Sequence, residues 1–246
     1  MTNHGVQFPR FFVTAPSPCP YLEDREERKV FTELEGPDAG ALNEALGKVG
    51  FRRSQTVAYR PACENCSSCI SVRIRIGEFA HTRSMKRIVK KNRDIIATVV
   101  ENRVTDEQFD LLSTYLTDRH SDGSMADMSI EEFREMAETS PVETILIEYR
   151  RALSNELIAV ALTDQLSDGL SMVYSFFSGE VPELSLGTYV ILDHIERAKN
   201  HVMPYVYLGY WVKGSRKMDY KIRFKPIERL GPDGWHVLEE QNETLS

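Results

Sequence analysis

The spacing of apolar and polar residues in the first hundred positions predicts two helices and two strands. Residues 39–49 read as a helix that ends at Gly50, a typical residue for the position after a helix. Residues 51–59 read as a strand, and 70–76 alternate Ile or Val with Ser or Arg, as in a half-buried strand. Within 83–93 apolar residues recur three and four positions apart, which predicts a helix with basic residues on its other faces.

Two capping motifs predict the helices that come next. Thr105-x-x-Gln108 opens one helix, and Ser129-x-x-Glu132 opens another. Between them, the Gly-, Ser- and Asp-rich stretch 121–127 is predicted to be a loop. The middle of the chain is therefore expected to be helical.

After Pro141 the pattern changes to strands, followed by one long helix and an aromatic strand. The predicted strands are 144–149, 157–164 and 170–177, the helix is 186–200 with Ser185 as its candidate N-cap, and the last strand is 205–211. Three strands, a helix and a strand is the order of an acyltransferase domain of the N-acetyltransferase (GNAT) type. We therefore expect an α+β protein with a GNAT-like C-terminal domain, 101–246, and a smaller Cys-containing N-terminal α/β region, 1–100.

Composition limits the possible partners. The chain has 246 residues, 41% of them hydrophobic, so it can bury a core as one large domain or two smaller ones. No stretch approaches the ~20 apolar residues of a membrane span, so no membrane partner is expected. The net charge of −7 predicts no general affinity for nucleic acid, and no DNA partner is expected.

One segment departs from this acidic average. Between positions 83 and 93 there is no acidic residue, and there are six basic ones: Arg83, Lys86, Arg87, Lys90, Lys91 and Arg93. A solvated helix face is the simpler interpretation. However, such a face normally mixes both signs, because like charges four residues apart destabilise a helix. We favour contact with a polyanion, whose phosphates would offset the repulsion.

The cysteines are confined to the N-terminal region. Cys63, Cys66 and Cys69 form a C-x2-C-x2-C run, and Cys19 stands apart. Together they could supply four thiolates to zinc or an iron–sulfur cluster. Free structural or redox thiols and disulfides are the alternatives. The N-terminus lacks the features of a secretory signal, so we expect a cytoplasmic protein with reduced thiols.

The C-terminal half carries a cluster of tyrosines and basic residues. An aromatic strand is usually core, but Gly209 within it indicates a bulge or the close approach of a ligand. The segment Ser185-Leu-Gly-Thr188 could cap its helix, or it could bind an anion at the helix N-terminus. A pyrophosphate-binding loop is missing at this point, which argues against coenzyme A as the acyl donor.

Taken together, these segments resemble the bacterial arginyl/leucyl-tRNA–protein transferase family, in its aspartate/glutamate leucyltransferase branch. The resemblance extends from about Cys19 to Trp235. Its motifs are Cys19-Pro-Tyr-Leu22, Tyr59-Arg-Pro-Ala-Cys63 with the cysteine run, the basic segment, Asp168-Gly-x-Ser-x-x-Tyr-x-Phe-Phe177, Ser185-Leu-Gly187, Tyr207-Leu-Gly-Tyr-Trp211 and Lys217-Met-x-Tyr-Lys221.

The resemblance implies an aminoacyltransferase. It would move leucine from leucyl-tRNA to the N-terminal amine of proteins that start with Asp or Glu, which marks them for N-degron proteolysis. An aminoacyl ester is already activated, so the transfer would need no cofactor. An arginyl-tRNA–protein transferase, a metal- or redox-sensing RNA-binding module, and an acetyltransferase-like enzyme with a small acyl donor are the alternatives.

The resemblance also suggests roles for residues. Tyr174, Tyr207 and Tyr220 are expected to line the catalytic site, with Gly187 and its helix N-terminus at the oxyanion or at the tRNA 3′ end. The acceptor's acidic side chain would be bound by Arg216, Lys217 and Lys221. The six basic residues of 83–93 would hold the tRNA through its phosphates. The cysteines would allow one cofactor, a zinc ion or an iron–sulfur cluster, bound by Cys19, Cys63, Cys66 and Cys69.

Overall fold

The computed structural model describes residues 9–120, 127–215 and 217–239, and these fold around two main sheets of very different size. Residues 9–61 build a four-stranded sheet in the order β1-β4-β6-β5, a separate β2–β3 pair and one helix. These elements are β1 Phe12–Val13, β2 Ser17–Pro18, β3 Glu26–Glu27, β4 Lys29–Glu33, α1 Ala39–Lys48, β5 Arg52–Ser54 and β6 Val57–Pro61.

The prediction for this region is partly confirmed. Helix α1 has the expected bounds within one residue, and Gly50 follows it with a φ of +90°. The single strand predicted over 51–59 is wrong, because β5 and β6 form an antiparallel hairpin there. Gln55 turns the chain with a φ of +51°. A glutamine gives no turn signal in the sequence, since Gly, Asn and Asp are the usual residues at positive φ.

The rest of the described chain forms an eight-stranded sheet with four helices. Its strand order is β14-β13-β7-β12-β11-β10-β9-β8, and all neighbours are antiparallel except β11 and β12. The elements are β7 Cys69–Arg75, α2 Arg83–Lys91, β8 Ile95–Val100, α3 Asp106–His120, α4 Ile130–Glu138, β9 Thr144–Arg151, β10 Leu157–Leu166, β11 Gly169–Phe177, α5 Leu186–Asn200, β12 Tyr205–Val212, β13 Ile227–Gly231 and β14 Gly234–Val237.

Helices cover both faces of this large sheet. Along β10, Ala161 packs with Val190 of α5, whereas its neighbour Val160 packs with Leu112 of α3. Because successive strand residues point to opposite faces, α5 and α3 lie on opposite sides of the sheet. Helix α2 packs beside α5, and α4 packs beside α3.

The small sheet lies on the α3 side of the large sheet. Arg53 of β5 donates to both carboxylate oxygens of Asp164 on β10, at 2.7 and 2.6 Å. The Tyr210 hydroxyl of β12 donates to the Gly50 carbonyl at 2.8 Å. Strand β7 pairs with β12, and β8 pairs with β9, so two strands from residues 1–100 belong to the large sheet. The sheet pairing therefore does not follow the predicted division at residue 100.

The α+β class and the element order predicted for the C-terminal half are confirmed. Both predicted capping boxes form, with reciprocal bonds between Thr105 and Gln108 and between Ser129 and Glu132. The predicted loop 121–127 falls mostly outside the described residues. Ser185 occupies the N-cap position of α5 as predicted, but it has a φ of +53° and its hydroxyl makes no capping bond.

Candidate active site

The parallel strands β11 and β12 separate after a short pairing. They are in register only from Gly169–Ser171 to Tyr205–Tyr207, although both continue well beyond this point. A Cβ atom on Gly169 would lie 2.3 Å from the Tyr205 carbonyl oxygen, so the paired part needs glycine there. Beyond the pairing, β11 and β12 enclose a gap that we call the wedge. It leaves backbone groups of both strands free to meet side chains.

Arg52 of the small sheet enters the wedge from the α3 side. Its Nη2 donates to the carbonyl of Met172 on β11 at 2.5 Å. Its Nη1 is buried and has no hydrogen-bond partner among the described residues. A Cβ atom on Gly209 of β12 would lie 1.7 Å from this Nη1, and Gly209 has a φ of +76°. The predicted bulge at Gly209 is confirmed, and the group that approaches it closely is a guanidinium.

Lys221 contacts the β12 strand of the wedge. It lies in a short 3₁₀ helix, Asp219–Arg223, and is only 8% exposed. Its Nζ donates to the Tyr210 carbonyl of β12 at 2.7 Å. Burial and the positive charge of Arg52 lower the pKa of Lys221 to about 7. Neither side chain has a carboxylate partner in the described parts of the chain, so the positive charge of Arg52 in the wedge is uncompensated.

Two of the predicted catalytic tyrosines lie near a third tyrosine, and one of the two, Tyr220, is near Arg52. Burial raises the pKa of Tyr174, and nearby Tyr115 of α3 raises it further. Burial likewise raises the pKa of Tyr220, with Tyr115 raising it and Arg52 lowering it. The ring of Tyr115 is 5.2 Å from that of Phe177. Tyr174 and Tyr220 are therefore brought together around Tyr115, which the sequence analysis did not select.

Gly187 permits a close contact between α5 and this aromatic cluster. A Cβ atom there would lie 3.0 Å from two ring atoms of Phe177. The ring therefore packs on the start of α5 and brings the helix N-terminus beside the tyrosines. The Ser185 carbonyl accepts from the N–H groups of Thr188 and Tyr189 at 2.9 and 3.0 Å, whereas its hydroxyl caps nothing, so the N–H groups of Leu186 and Gly187 are left to bind an anion.

Tyr207 lies at the closed end of the wedge and belongs to a different network. Its hydroxyl donates to Asp168 at 2.9 Å and accepts from Nη1 of Arg73 at 3.1 Å. The guanidinium of Arg73 lies between the rings of Tyr205, at 3.6 Å, and Trp235, at 4.3 Å. The structure thus places Tyr207 in a buried contact that holds the C-terminal hairpin, not among the clustered tyrosines.

The remaining predicted acceptor residues lie outside the wedge or outside the described chain. Lys217 is exposed on the surface, four residues before Lys221. Arg216 lies outside the described residues. Of the three predicted acceptor-binding residues, only Lys221 is therefore seen in the wedge. Arg52 was missed, because the local pattern gave it only as part of a strand.

The predicted basic helix forms and presents its charges to solvent. All six basic side chains are exposed, and none of them pairs with a carboxylate of the described residues. Lys91 donates to the Glu183 carbonyl at 3.1 Å, and the buried Asn92 donates to the Leu184 carbonyl at 2.9 Å. These bonds tie the end of α2 to the segment that leads into α5. Its contact with tRNA stays a prediction.

The four cysteines are neighbours in space but do not form a metal site as placed. All are free thiols, and the pKa of Cys69 is raised to about 12 by burial and by Cys19, Cys63 and Cys66. Hydrogen bonds with Ser68 lower the pKa of Cys66. No group of three or more Cys, His, Asp or Glu in the described ranges is arranged to hold a metal ion. The geometry gives no support to a zinc or iron–sulfur site, and that cofactor stays a prediction.

Family models and relatives among known proteins match this chain along almost its whole length. Models of the arginine-tRNA-protein transferase N terminus and C terminus match residues 17–87 and 107–231. The aspartate/glutamate leucyltransferase of Azorhizobium caulinodans is 55% identical, over 98% of this chain and 100% of that protein. That of Sphingopyxis alaskensis is 53% identical, over 95% and 93%.

Solved structures show a more distant similarity. The structure of L-PGS from Bacillus licheniformis is 10% identical, with a TM-score of 0.47 over 58% of this chain and 45% of that one. In the described chain, every helix is too short or too polar to cross a membrane.

Proposed function

The chain belongs to the arginine-tRNA-protein transferase family, and we propose that it transfers leucine from leucyl-tRNA to the N-terminal amine of proteins that begin with Asp or Glu. It is therefore an aminoacyltransferase. The choice of leucine as the cargo and of acidic acceptors is supported by its near-full-length relatives, which are aspartate/glutamate leucyltransferases. The modified proteins would then enter N-degron proteolysis in the cytoplasm.

The observation that carries this proposal is the uncompensated positive charge in the wedge. A buried cation without a counter-ion is costly, and a bound carboxylate would remove that cost. Arg52 points an unpartnered Nη1 into the wedge, and Lys217 is exposed on the segment beside it. An acceptor that begins with Asp or Glu brings a carboxylate carbon three or four bonds from its reacting amine. The negative side chain of the acceptor therefore complements the positive charge of the wedge.

The reaction that fits this site is direct aminolysis. The acceptor nitrogen attacks the carbonyl carbon of the leucyl ester, a C–N bond forms, and the C–O bond to the terminal ribose of the tRNA breaks. The α-amine of a peptide has a pKa of about 8, so a useful fraction is neutral near pH 7. The start of α5 can stabilise the oxyanion, and the tyrosines position the two substrates.

Helix α2 completes the proposed site as the contact for the tRNA. Its five exposed cations, and Arg93 just beyond its end, have no acidic partners among the described residues, so they are available to phosphates. Because Asn92 links the end of α2 to Leu184, RNA bound on this helix would lie beside the segment that leads into α5.

The test is a transfer assay with two donors and a panel of acceptors. Peptides that differ only in their first residue (Asp, Glu or Lys) are incubated with labelled leucyl-tRNA or arginyl-tRNA. We expect leucine on the Asp and Glu peptides and little transfer to the Lys peptide. Preferential transfer of arginine would instead support the arginyl-tRNA–protein transferase alternative. RNA binding without any transfer would support the RNA-binding module.

A further inference from the structure

The position of Lys221 is unusual for a lysine that serves only as a positive charge. Its Nζ is buried, its one hydrogen-bond partner among the described residues is the Tyr210 carbonyl, and its charged neighbour, Arg52, has the same sign. A lysine in such surroundings favours the neutral form, since burial and a neighbouring cation both oppose protonation. A neutral amine that donates to a carbonyl still has a lone pair with which to accept a proton.

We propose that Lys221 is the general base of the transfer, with Arg52 as the residue that keeps it neutral. Lys221 Nζ takes a proton from the acceptor nitrogen as the C–N bond forms. The same proton then goes to the ribose oxygen as the ester C–O bond breaks, so Lys221 ends as it began. This inference rests on the proposed function, and it changes the predicted role of Lys221 from carboxylate binding to proton transfer.

The surroundings of Lys221 fit this role. Its pKa of about 7 lies close to that of a peptide α-amine, which is the condition for efficient proton exchange near neutral pH. Burial lowers this pKa most, and the positive charge of Arg52 lowers it further. Tyr220 is adjacent in sequence, and its own pKa is raised by burial. The Tyr210 hydroxyl of β12 is bonded to Gly50 and Tyr59, away from Lys221.

The experiment compares kcat as a function of pH for the wild type and three variants, at saturating leucyl-tRNA and Asp-starting peptide. The wild-type kcat should rise with pH through a pKa near 7, because only neutral Lys221 accepts a proton. Lys221→Arg and Lys221→Met should both lose about 10²–10⁴-fold in kcat together with that pH step. In Arg52→Gln the step should move to higher pH, because loss of the positive neighbour raises the pKa of Lys221.

Lys221→Arg separates the two possible roles, because it keeps the positive charge and removes the base. If Lys221→Arg retains wild-type kcat, the charge alone suffices and the proposal is overturned. An Arg52→Gln profile that coincides with the wild type would also overturn it. Lys48→Met, on the exposed side of α1, is the control and should leave kcat unchanged.

Folding and the proposed function are checked separately. Lys221→Met exchanges a buried amine for an apolar group of similar length, so its melting temperature should equal or exceed that of the wild type. If this variant fails to fold, the shift of the pH step in Arg52→Gln still decides whether Lys221 is the general base. A wild-type enzyme that does not transfer leucine would reject the proposed function, whereas an active wild type with a fully active Lys221→Arg rejects only the base.

Discussion

At the scale of single residues, the site depends on Arg52, Gly209 and Lys221, which come from distant parts of the chain. The sequence indicates a bulge or a close approach at Gly209, because glycine weakens the interior of a strand and usually occurs where the backbone bends or another group comes near. The sequence gives no reason to place Arg52 against Gly209, because the two residues are more than 150 positions apart in the chain. Likewise, the burial of Lys221 follows from its 3₁₀ helix packing on β12, whereas Lys217 remains exposed.

Gly209→Ala tests how closely Arg52 depends on this glycine. The new methyl group would meet Nη1 at 1.7 Å and would also require a φ of +76°, which alanine disfavours. We expect Arg52 to leave the Met172 carbonyl, and kcat/KM for an Asp-starting peptide to fall by at least about tenfold, the cost of one charge-assisted hydrogen bond.

Gly47→Ala is the matched control for this substitution. Gly47 is in α1 and a Cβ atom there would meet nothing within 4 Å. This variant should keep full activity and gain about 0.5–1 kcal/mol of stability in thermal or denaturant unfolding. Equal activity of Gly209→Ala and the wild type would contradict the packing of Arg52 on Gly209.

At the scale of elements, the pattern of apolar residues predicted most helices and strands. Capping boxes located the starts of α3 and α4, and alternation located β7, because both signals are local. The hairpin of β5 and β6 was missed, since Gln55 adopts its positive φ without the usual sequence signal. Ser185 was correctly placed at the start of α5, but its left-handed backbone and missing side-chain capping bond were not predicted.

The basic face of α2 gives a prediction that can be tested by salt dependence. In the double variant Lys86→Gln/Lys90→Gln, two phosphate contacts should be lost. The slope of log affinity for leucyl-tRNA against log salt should therefore decrease by about two. The Michaelis constant for leucyl-tRNA should rise, while kcat at saturating tRNA stays unchanged.

Lys48→Gln, a neutralised lysine on α1, is the control for α2. It should leave both the slope and the Michaelis constant as in the wild type. If the α2 double variant behaves like this control, α2 is a solvated face and the tRNA contact lies elsewhere.

At the scale of the whole molecule, the small sheet is part of the site because it delivers Arg52 to the large sheet. Arg53, the next residue, anchors the small sheet through its bidentate pair with Asp164, and both side chains are at most 2% exposed. The sequence placed a boundary at residue 100 because the pattern changes in the middle of the chain. It could not show that β7 inserts between β12 and β13, since strand order depends on long-range pairing.

Arg53→Met should destabilise the protein strongly, because it leaves the buried carboxylate of Asp164 without its partner. We expect a loss of about 3–5 kcal/mol in the free energy of unfolding by denaturant. Adding Asp164→Leu should recover much of this loss, since neither charge is then buried alone. Arg60→Met, on the exposed side of β6, should cost far less. A small loss in Arg53→Met would mean that the two sheets are held together by other contacts.

The most direct test of acceptor recognition in the wedge is the preference for Asp-starting over Asn-starting peptides, measured as the ratio of kcat/KM for leucine transfer in the wild type and in Arg52→Gln. Asn has nearly the shape of Asp without its charge, so this ratio isolates recognition of the carboxylate. We predict a strong preference for Asp in the wild type, reduced by about tenfold or more in Arg52→Gln. A wild type that uses both peptides equally, or a preference that survives in Arg52→Gln, would contradict the proposed role of the wedge.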